Sequence, residues 1–319
     1  MTAPAFTVVI PLFNKAGFIR ATVASVLAQD HPDFELILVD DGSTDGSAEA
    51  VGDLLGPRVR LIRQDNAGPG PARNRGIAEA SGDWIALLDA DDRWRPNHLS
   101  VLAGLVHAFP AAGAVTTGFR RISPGDADAL QAVRPAPGPG RLIDYFMEAR
   151  RRELICSSSA AVRRDAAQAL GGFAPFRPGE DMHFWVRLAL DHPIAATPTE
   201  TALYVMAADS LMHAAGRDPA AGLSLQPVFE VLDRALADPA RADLHPRLRA
   251  YRNCLLENWA RQALRRGDPS TARFYLGHVE PASFTGSALR LLSRLPPALA
   301  ATGLAGLGAA LRLVRGRRA

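Results

Sequence analysis

The feature that most constrains the fold is an alternation of short apolar runs and helical periodicity from residue 6 to about residue 120. Apolar runs typical of strands cover Phe6–Ile10, Phe34–Val39, Val59–Ile62 and Trp84–Leu88. Helical spacing of apolar residues lies between them, over Ile19–Leu27, Ala48–Leu55 and about Ala72–Ala80. Strands separated by helices of this length form crossover connections, which predict an α/β fold with a mainly parallel sheet flanked by helices.

Local breakers and caps refine this pattern. Pro11 predicts the end of the first strand, because proline cannot donate to a strand ladder. Ser43, Thr44 or Asp45 is expected to cap the helix over Ala48–Leu55.

The rest of the chain changes character in steps. Arg121–Arg141 is rich in Pro, Gly, Asp and Ala and is predicted to be a loop, followed by a second mixed α/β stretch over Leu142–Val205. Helical patterns then cover Leu225–Leu236, Leu248–Leu264 and Thr271–Val279. We therefore expect a catalytic domain over residues 1–215 and a helical C-terminal extension over residues 216–319.

Composition excludes several classes of protein. A hydrophobic fraction of 48% with 22% charged residues is typical of a globular chain. Cys156 and Cys254 stand far apart, which argues against a disulfide framework or a zinc site. Lys15 is the single lysine, and no basic block of the kind that binds nucleic acid precedes the last residues. The apolar run Phe6–Leu12 lacks a basic leader and a cleavage site, so a cytoplasmic location is expected.

Polar residues follow four of the predicted strands. They are Asn14, then Asp40 and Asp41, then Asn66, then Asp89, Asp91 and Asp92. Ligands of open α/β sheets bind beyond the carboxyl ends of the strands, so most of the chemistry is expected at one rim of the sheet.

The cluster Asp89-Ala90-Asp91-Asp92 indicates a cation site. Asp89 and Asp91 stand two residues apart, so in extended chain they point the same way. Mg²⁺ and Mn²⁺ prefer such hard oxygen ligands and combine them with substrate phosphates. The alternative is a solvated acidic turn that caps the next helix.

Two further segments fit a nucleotide. Asp41 can accept a hydrogen bond from the N–H of a base, or it can be an ordinary turn residue beside Gly42. Asn66–Asn74 contains glycines that allow close backbone approach, and Arg73 then opens a helix. A helix N-terminus and a guanidinium both suit a diphosphate, although Arg73 can equally be a surface residue.

Four motifs in this order resemble the family 2 glycosyltransferases with the GT-A fold. They are Val8–Asn14, Leu38–Asp45, Asn66–Gly76 and Gly82–Asp92, and a fifth follows in Gly171–Phe173 with Gly179–Asp181. The similarity extends over roughly residues 6–205. It implies a Rossmann-like GT-A domain and a metal-dependent, inverting enzyme that moves a sugar from a nucleotide diphosphate donor to a glycan, lipid-linked or protein-linked hydroxyl.

The resemblance also implies roles for single residues. Pro11, Phe13, Asp41 and Asn66 would line the nucleobase and ribose pocket, with UDP favoured through Asp41, and Arg73 would face the diphosphate. Asp89 would contact the ribose or a water on the metal, and Asp91 would bind Mn²⁺ or Mg²⁺ directly. Asp181 would be the general base, positioned by Glu180. Alternatively, Glu180 and Asp181 only cap the helix that they open.

One segment departs from the family pattern. Many relatives carry an arginine and a histidine after the strand Ala202–Val205, whereas this chain has neither in Tyr204–Ser210. His213 follows slightly later as a substitute or as a plain loop residue. The departure puts the third metal ligand in doubt and keeps open a non-catalytic relative that binds a sugar nucleotide or glycan. A nucleotidyltransferase is disfavoured, since Val8–Gly17 lacks its glycine-rich basic loop.

Residues 295–318 form the last distinct segment. Leu295–Leu311 is uncharged, short for a bilayer span, and followed by arginines. We expect a helix that either lies on the inner membrane surface or packs on the enzyme or a partner chain.

Overall fold

The computed structural model describes residues 6–176, 179–206, 226–280 and 284–295, with residues 300, 303, 304 and 307. The chain divides into two compact units, Met1–Glu148 with Glu153–Val231 and Ala149–Arg152 with Leu232–Ala319. The predicted boundary at residues 215 and 216 lies outside the described residues, as do His213 and most of 295–318. Within the described part, no helix is long and apolar enough to cross a membrane.

The first unit contains a nine-stranded sheet. Its strands are β1 (Phe6–Leu12), β2 (Phe34–Asp40), β3 (Val59–Arg63), β4 (Trp84–Leu87), β5 (Arg93–Trp94), β6 (Ala114–Ile122), β7 (Arg141–Ile143), β8 (Ala160–Arg163) and β9 (Ile194–Val205). The order is β3-β2-β1-β4-β8-β6-β9-β5, and β7 pairs with β9. Pairing is parallel in β3-β2-β1-β4 and between β6 and β9, and antiparallel elsewhere. The predicted α/β fold class is confirmed, and its parallel core belongs to a sheet that is mixed as a whole.

The described helices connect and follow these strands. They are α1 (Ile19–Leu27), α2 (Pro69–Glu79), α3 (His98–Ala108), α4 (Ala127–Gln131), α5 (Tyr145–Glu148), α6 (Arg164–Ala169), α7 (Glu180–Asp191), α8 (Gln226–Ala237), α9 (His245–Arg265), α10 (Pro269–Gly277) and α11 (Phe284–Leu292). The predicted helices of the extension are present in α8, α9 and α10, and α11 adds one that the apolar pattern does not reveal.

Both faces of the parallel core are covered, as buried strands require. Leu36 and Leu38 of β2 belong to a buried cluster that includes residues of α1 and α3. Ile37 and Val39, which alternate with them, pack with Ala72 of α2 in a second cluster. Side chains of a strand alternate between faces, so α1 and α3 cover one face and α2 the other.

Pro11 does not end β1, contrary to the prediction. β1 pairs with β2 as far as Leu12, but with β4 only as far as Val9. The carbonyl of Leu12 faces β2, where it accepts from the N–H of Asp41, and that of Val9 faces β4, where it accepts from Leu88. Pro11 alternates with Leu12 and so faces β4 beyond the end of that strand, where the missing N–H removes no ladder bond.

Two other local predictions are wrong. The segment predicted as a helix over Ala48–Leu55 is a 3₁₀ turn over Glu49–Leu54, and no side chain caps it. The predicted caps instead bond the loop after β1, since Asp45 accepts from the N–H of Ala16. The predicted loop Arg121–Arg141 contains the short helix α4.

In the second unit, a capped turn joins α9 to α10. Gly267 between α9 and α10 has a φ of 77°. Asp268 then accepts from the N–H groups of Ser270 and Thr271 at 3.1 and 3.0 Å. The same carboxylate oxygen, Oδ1, accepts from Oγ of Ser270 at 2.6 Å. The side-chain hydrogen bonds of Ser270 and Thr271, with these backbone bonds, lower the pKa of Asp268 to about 2. The cap satisfies amide groups that the first turn of a helix leaves open.

Gly76→Ala is expected to lower the free energy of unfolding by about 1–3 kcal/mol. A Cβ at Gly76 would stand 2.3 Å from Cγ1 of Val9, a buried and stiff β-branched side chain of β1. Gly104→Ala in α3 is the matched control, because a Cβ there meets nothing within 4 Å. That change is expected to stabilise by up to about 1 kcal/mol through helix propensity. Urea unfolding measures both, and equal midpoints would contradict the close packing of α2 on β1.

Candidate active site

The carboxyl ends of the parallel strands meet at one rim. Leu12 pairs with Asp40 at the ends of β1 and β2, and the N–H of Asp41 donates to the Leu12 carbonyl at 2.8 Å. β4 ends beside β1 at Leu87. The residues that follow these strands therefore share one edge of the sheet, where the sequence predicts the chemistry.

The loop after β1 presents an exposed aromatic ring. Phe13 is 39% exposed, although large aromatic side chains usually lie inside. Asn14 beside it has a φ of 51°, a left-handed conformation that asparagine tolerates. Pro11 is partly buried at the end of β1. Phe13 is thus available for a planar ligand, and its place in a base pocket stays a prediction.

Asp41 organises the neighbouring loop. Its side chain is buried, and Oδ1 accepts from Nε2 of Gln64 at 2.8 Å and from the N–H of Ala67 at 2.9 Å. Oδ2 accepts from the N–H of Gly68 at 2.7 Å. Asn66 lies exposed in the loop so held. Any hydrogen bond from a base to Asp41 would add to these contacts, and that role stays a prediction.

Arg73 connects two parts of the rim that lie far apart in sequence. Its guanidinium is buried, with Nη2 donating to Oδ1 of Asp89 at 2.8 Å and Nη1 to Oε1 of Glu180 at 3.0 Å. The guanidinium carbon lies 5.3 Å from the ring centre of Phe173. Arg73 is therefore not a surface residue, and its guanidinium is already paired with two carboxylates. It fixes the carboxylate after β4 against the start of α7.

Glu180 and Asp181 open α7, but neither is its N-cap. Gly179 takes that position with a φ of 105° and no side-chain cap. Oδ1 of Asp181 accepts from the N–H of Met182 at 2.7 Å. Burial and the charge of Glu180 raise the pKa of Asp181 to about 6, against an opposing effect of Arg73. A carboxylate with this pKa is suited to accept a proton near neutral pH.

The three aspartates after β4 divide into two kinds. Asp92 is fully buried, and its carboxylate accepts from Oγ of Ser158 at 2.5 Å and from the N–H of Val205 at 2.8 Å. Burial, with the charges of Asp89 and Asp91, raises its pKa. Asp92 therefore links β9 to the turn at Ser158 through hydrogen bonds. Asp89 and Asp91, in contrast, remain partly exposed at the rim.

Lys15 supplies a cation to this cluster. Its Nζ lies 2.9 Å from Oδ2 of Asp91, and each side chain is 17% exposed. Burial raises the pKa of Asp91, and Asp89 adds to the rise while Lys15 opposes it. Crowded, partly desolvated carboxylates require positive charge, which Lys15 and Arg73 provide here.

The donor set suits a hard cation held jointly with a ligand. In the described part of the chain, no three His, Cys, Asp or Glu side chains converge on a metal position. Asp89 and Asp91 nevertheless offer carboxylate oxygens at the rim. Mg²⁺ is usually held by one or two carboxylates together with substrate phosphates and water, so these residues fit such an ion.

Sequence reasoning missed three positioning residues. Lys15 could have been noticed as the single lysine directly after a strand of the rim. Asn74 donates from Nδ2 to the carbonyl of Phe173 at 2.8 Å and accepts from the N–H of Phe173 at 2.7 Å. Ser158 lies in a plain serine run, and its Oγ also accepts from the N–H of Asp89 at 3.1 Å. No local pattern marks Asn74 or Ser158.

Comparison with known proteins gives one family. Residues 7–171, just over half of the 319, match the family described as "Glycosyl transferase family 2". The chain is 44% identical over 112 residues to succinoglycan biosynthesis protein ExoO of Rhizobium meliloti, covering 35% of this chain and 31% of that protein. It is 37% identical over 99 residues to the putative teichuronic acid biosynthesis glycosyltransferase TuaG of Bacillus subtilis, covering 30% and 39%. Each match thus spans well under half of the relative's length.

Solved structures share the fold. TarS of S. aureus in complex with UDP-GlcNAc has a TM-score of 0.57 at 16% identity, covering 85% of this chain and 88% of that one. The mannosyltransferase PcManGT of Pyrobaculum calidifontis, in complex with GDP-Man and Mn²⁺, also has a TM-score of 0.57, at 24% identity, covering 98% and 87%. At these identities the likeness concerns the fold alone.

Proposed function

This chain belongs to glycosyl transferase family 2, and we propose that it moves a sugar from a nucleoside diphosphate donor to an acceptor hydroxyl with inversion at the anomeric carbon. The observation that carries the proposal is the bridge of Arg73 between Asp89 and Glu180. It joins the carboxylates after β4 to the residue beside Asp181. A leaving-group site and a base on one rim are the two parts that a single displacement needs.

Asp181 is the proposed general base. The acceptor hydroxyl gives its proton to the Asp181 carboxylate while its oxygen forms the new bond to the anomeric carbon. The bond from that carbon to the diphosphate oxygen breaks, and its electron pair leaves with the nucleotide. A single base opposite the leaving group yields inversion, whereas retention by double displacement needs a nucleophilic carboxylate in addition.

The rim residues stabilise the leaving group and hold the base. Asp91 and Asp89 would hold Mn²⁺ or Mg²⁺, which would offset the charge that develops on the departing diphosphate. Arg73 keeps Asp89 and Glu180 in place and moderates the negative charge around Asp181. It acts as a positioning residue, and its contact with the diphosphate stays a prediction from the sequence.

UDP is the favoured nucleotide. Phe13 offers an exposed ring. Asp41, which holds the loop that carries Asn66, would accept a hydrogen bond from the base. TarS and PcManGT, which share the fold, were solved with UDP-GlcNAc and GDP-Man. The base therefore has to be measured.

The acceptor is proposed from the chemistry of the relatives. ExoO and TuaG are named for succinoglycan and teichuronic acid biosynthesis. A growing surface polysaccharide or a lipid-linked or protein-linked glycan is therefore the proposed acceptor. A cytoplasmic site of action is proposed, with peripheral membrane contact if residues 295–318 lie on the bilayer.

Calorimetric titration of UDP, GDP and dTDP, with and without Mn²⁺, tests the donor site. One nucleotide is expected to bind, and Asp91→Ala is expected to weaken its Mn²⁺-dependent binding by about 10–100-fold. Asp83→Ala is the matched control. It removes an exposed carboxylate that precedes β4 at the opposite end of the strand. Failure of all three nucleotides to bind, or equal effects of the two substitutions, would contradict the proposed donor site.

A further inference from the structure

Lys15 contacts the carboxylate of Asp91, the proposed ligand of a divalent cation. Its ammonium group is within hydrogen-bond distance of Oδ2 of Asp91, at 2.9 Å. The same Nζ lies over the ring of Phe18, 5.7 Å from the ring centre. A lysine ammonium is a compact, strongly hydrated point charge on a flexible stem. It can therefore neutralise a carboxylate and still be drawn to another anion.

Hydrogen bonds from the loop after β2 hold the backbone that carries Lys15. The N–H of Lys15 donates to Oγ of Ser47 at 2.7 Å, and that of Ala16 to Oδ2 of Asp45 at 2.9 Å. Oδ1 of Asp45 accepts in turn from the N–H of Ser47 at 3.0 Å. The loop after β2 thus holds the loop after β1, so a change of partner at Lys15 would involve its side chain.

Each of the two rim carboxylates therefore already has a cationic side chain of the protein as its partner. Lys15 pairs with Asp91, and Arg73 pairs with Asp89. Arg73 is buried and also tied to Glu180, so it cannot leave without breaking a second pair. A divalent ion that approaches Asp91 in the absence of donor meets the ammonium charge of Lys15. A diphosphate reverses this balance, because its negative charges attract both the ion and the ammonium group.

We propose that Lys15 is a built-in counter-ion of Asp91 that keeps divalent cations out of the nucleotide-free site and passes to the donor diphosphate when the donor binds. This inference rests on the proposed function, because it concerns the same donor site. Its consequence is reciprocal coupling, in which nucleotide and metal each strengthen the binding of the other.

Mn²⁺ binding to the full chain, followed by the electron paramagnetic resonance signal of free Mn²⁺, tests the inference without any activity assay. In the wild type, UDP is expected to raise Mn²⁺ affinity at least about tenfold, and UMP, which lacks the second phosphate, much less. Lys15→Met is expected to bind Mn²⁺ without nucleotide at least about tenfold more tightly than the wild type, and to lose most of the coupling. Mn²⁺ affinity of nucleotide-free Lys15→Met equal to or below that of the wild type would overturn the inference.

Two control variants separate this effect from general charge. Lys15→Arg keeps the positive charge and is expected to bind Mn²⁺ as weakly as the wild type when nucleotide is absent. Arg20→Met removes a positive charge from α1 that pairs with exposed Asp53 instead of a rim carboxylate. It is expected to leave Mn²⁺ affinity unchanged, and an effect as large as that of Lys15→Met would overturn a specific role for Lys15.

The inference and the proposed function fail in different ways. If UDP, GDP and dTDP all fail to bind the wild type, the donor site is refuted. If one of them binds but nucleotide-free Lys15→Met gains no Mn²⁺ affinity, the donor site stands and only the role of Lys15 is refuted.

Discussion

Asp181→Asn is expected to lower kcat by about 10²–10⁴-fold while nucleotide affinity stays within about twofold of the wild type. Asparagine is nearly the same size and can still accept the hydrogen bond that Oδ1 of Asp181 receives from Met182. It cannot take a proton from an acceptor hydroxyl. The loss therefore falls on turnover, which release of the nucleotide from a donor sugar measures.

The activity of the wild type is also expected to depend on pH through the ionisation of Asp181. Asp181 must be ionised to act as a base, and its pKa lies at about 6. The value of kcat/KM is expected to rise with pH up to about that value and to level off above it. The residual activity of Asp181→Asn is expected to lack this rise, since the titrating group is gone.

Stability distinguishes loss of the base from loss of the fold. The pKa of Asp181 is raised in the folded chain, so the ionised carboxylate opposes folding as pH increases through about 6. Asp181→Asn is therefore expected to unfold at neutral pH no more easily than the wild type. Asp191→Asn, at the end of the same helix, is the control and is expected to keep full activity. Normal turnover by Asp181→Asn would contradict the assignment of Asp181 as the base. No turnover by the wild type would point to the non-catalytic relative that the sequence leaves open.

Arg73→Met is expected to lower the free energy of unfolding by about 3–5 kcal/mol, the usual cost of removing one partner from a buried ion pair. The buried carboxylate of Glu180 would lose its ion-pair partner, and Asp89 would no longer be linked to α7 through Arg73. Arg75→Met on the same helix is the matched control. Arg75 forms an exposed pair with Glu79, so its loss is expected to cost about 0.3–0.5 kcal/mol.

Arg73 is also expected to set the pH range of the reaction. Its charge lowers the pKa of Asp181 against the effects of burial and Glu180. Without it, the acid limb of the kcat/KM profile moves to higher pH, a change that a purely structural role would not produce. Arg73→Gln serves if Arg73→Met does not fold, because its amide also removes the charge but can still donate a hydrogen bond to one of the two carboxylates. An unshifted acid limb in a folded variant would contradict the positioning role.

The position of the polar residues at one rim of the sheet could be predicted from the sequence, because it depends only on where the strands end. Asp41 and Asp89 follow apolar runs of strand length, and parallel strands place such residues at one edge. The bridge from Arg73 to Glu180 joins residues 107 positions apart, and helix position alone cannot reveal such a partner. The prediction that Arg73 faces a diphosphate therefore stays a prediction, and its pairs with Asp89 and Glu180 could not be read from the sequence.

The failed local predictions have similar causes. Periodicity and the candidate caps Ser43, Thr44 and Asp45 predict a capped helix over Ala48–Leu55. In the structure, Asp45 and Ser47 bond the loop after β1 instead. Pro11 would end β1 only if the edge that it faces were paired at that position. The length of the neighbouring strand β4 decides this, and the local sequence of β1 does not reveal it. Where a side chain has a competing partner distant in sequence, propensity is a weak guide.

The anomeric configuration of the first product tests the proposed single displacement most directly. Proton NMR can follow donor turnover with the nucleotide sugar that titration identifies, using water as the acceptor if no other is known. An α-linked donor is expected to give the β-configured sugar first, before mutarotation mixes the anomers, and Asp181→Asn is expected to give almost none. An α-configured first product would contradict the assignment of Asp181 as the single base opposite the leaving diphosphate.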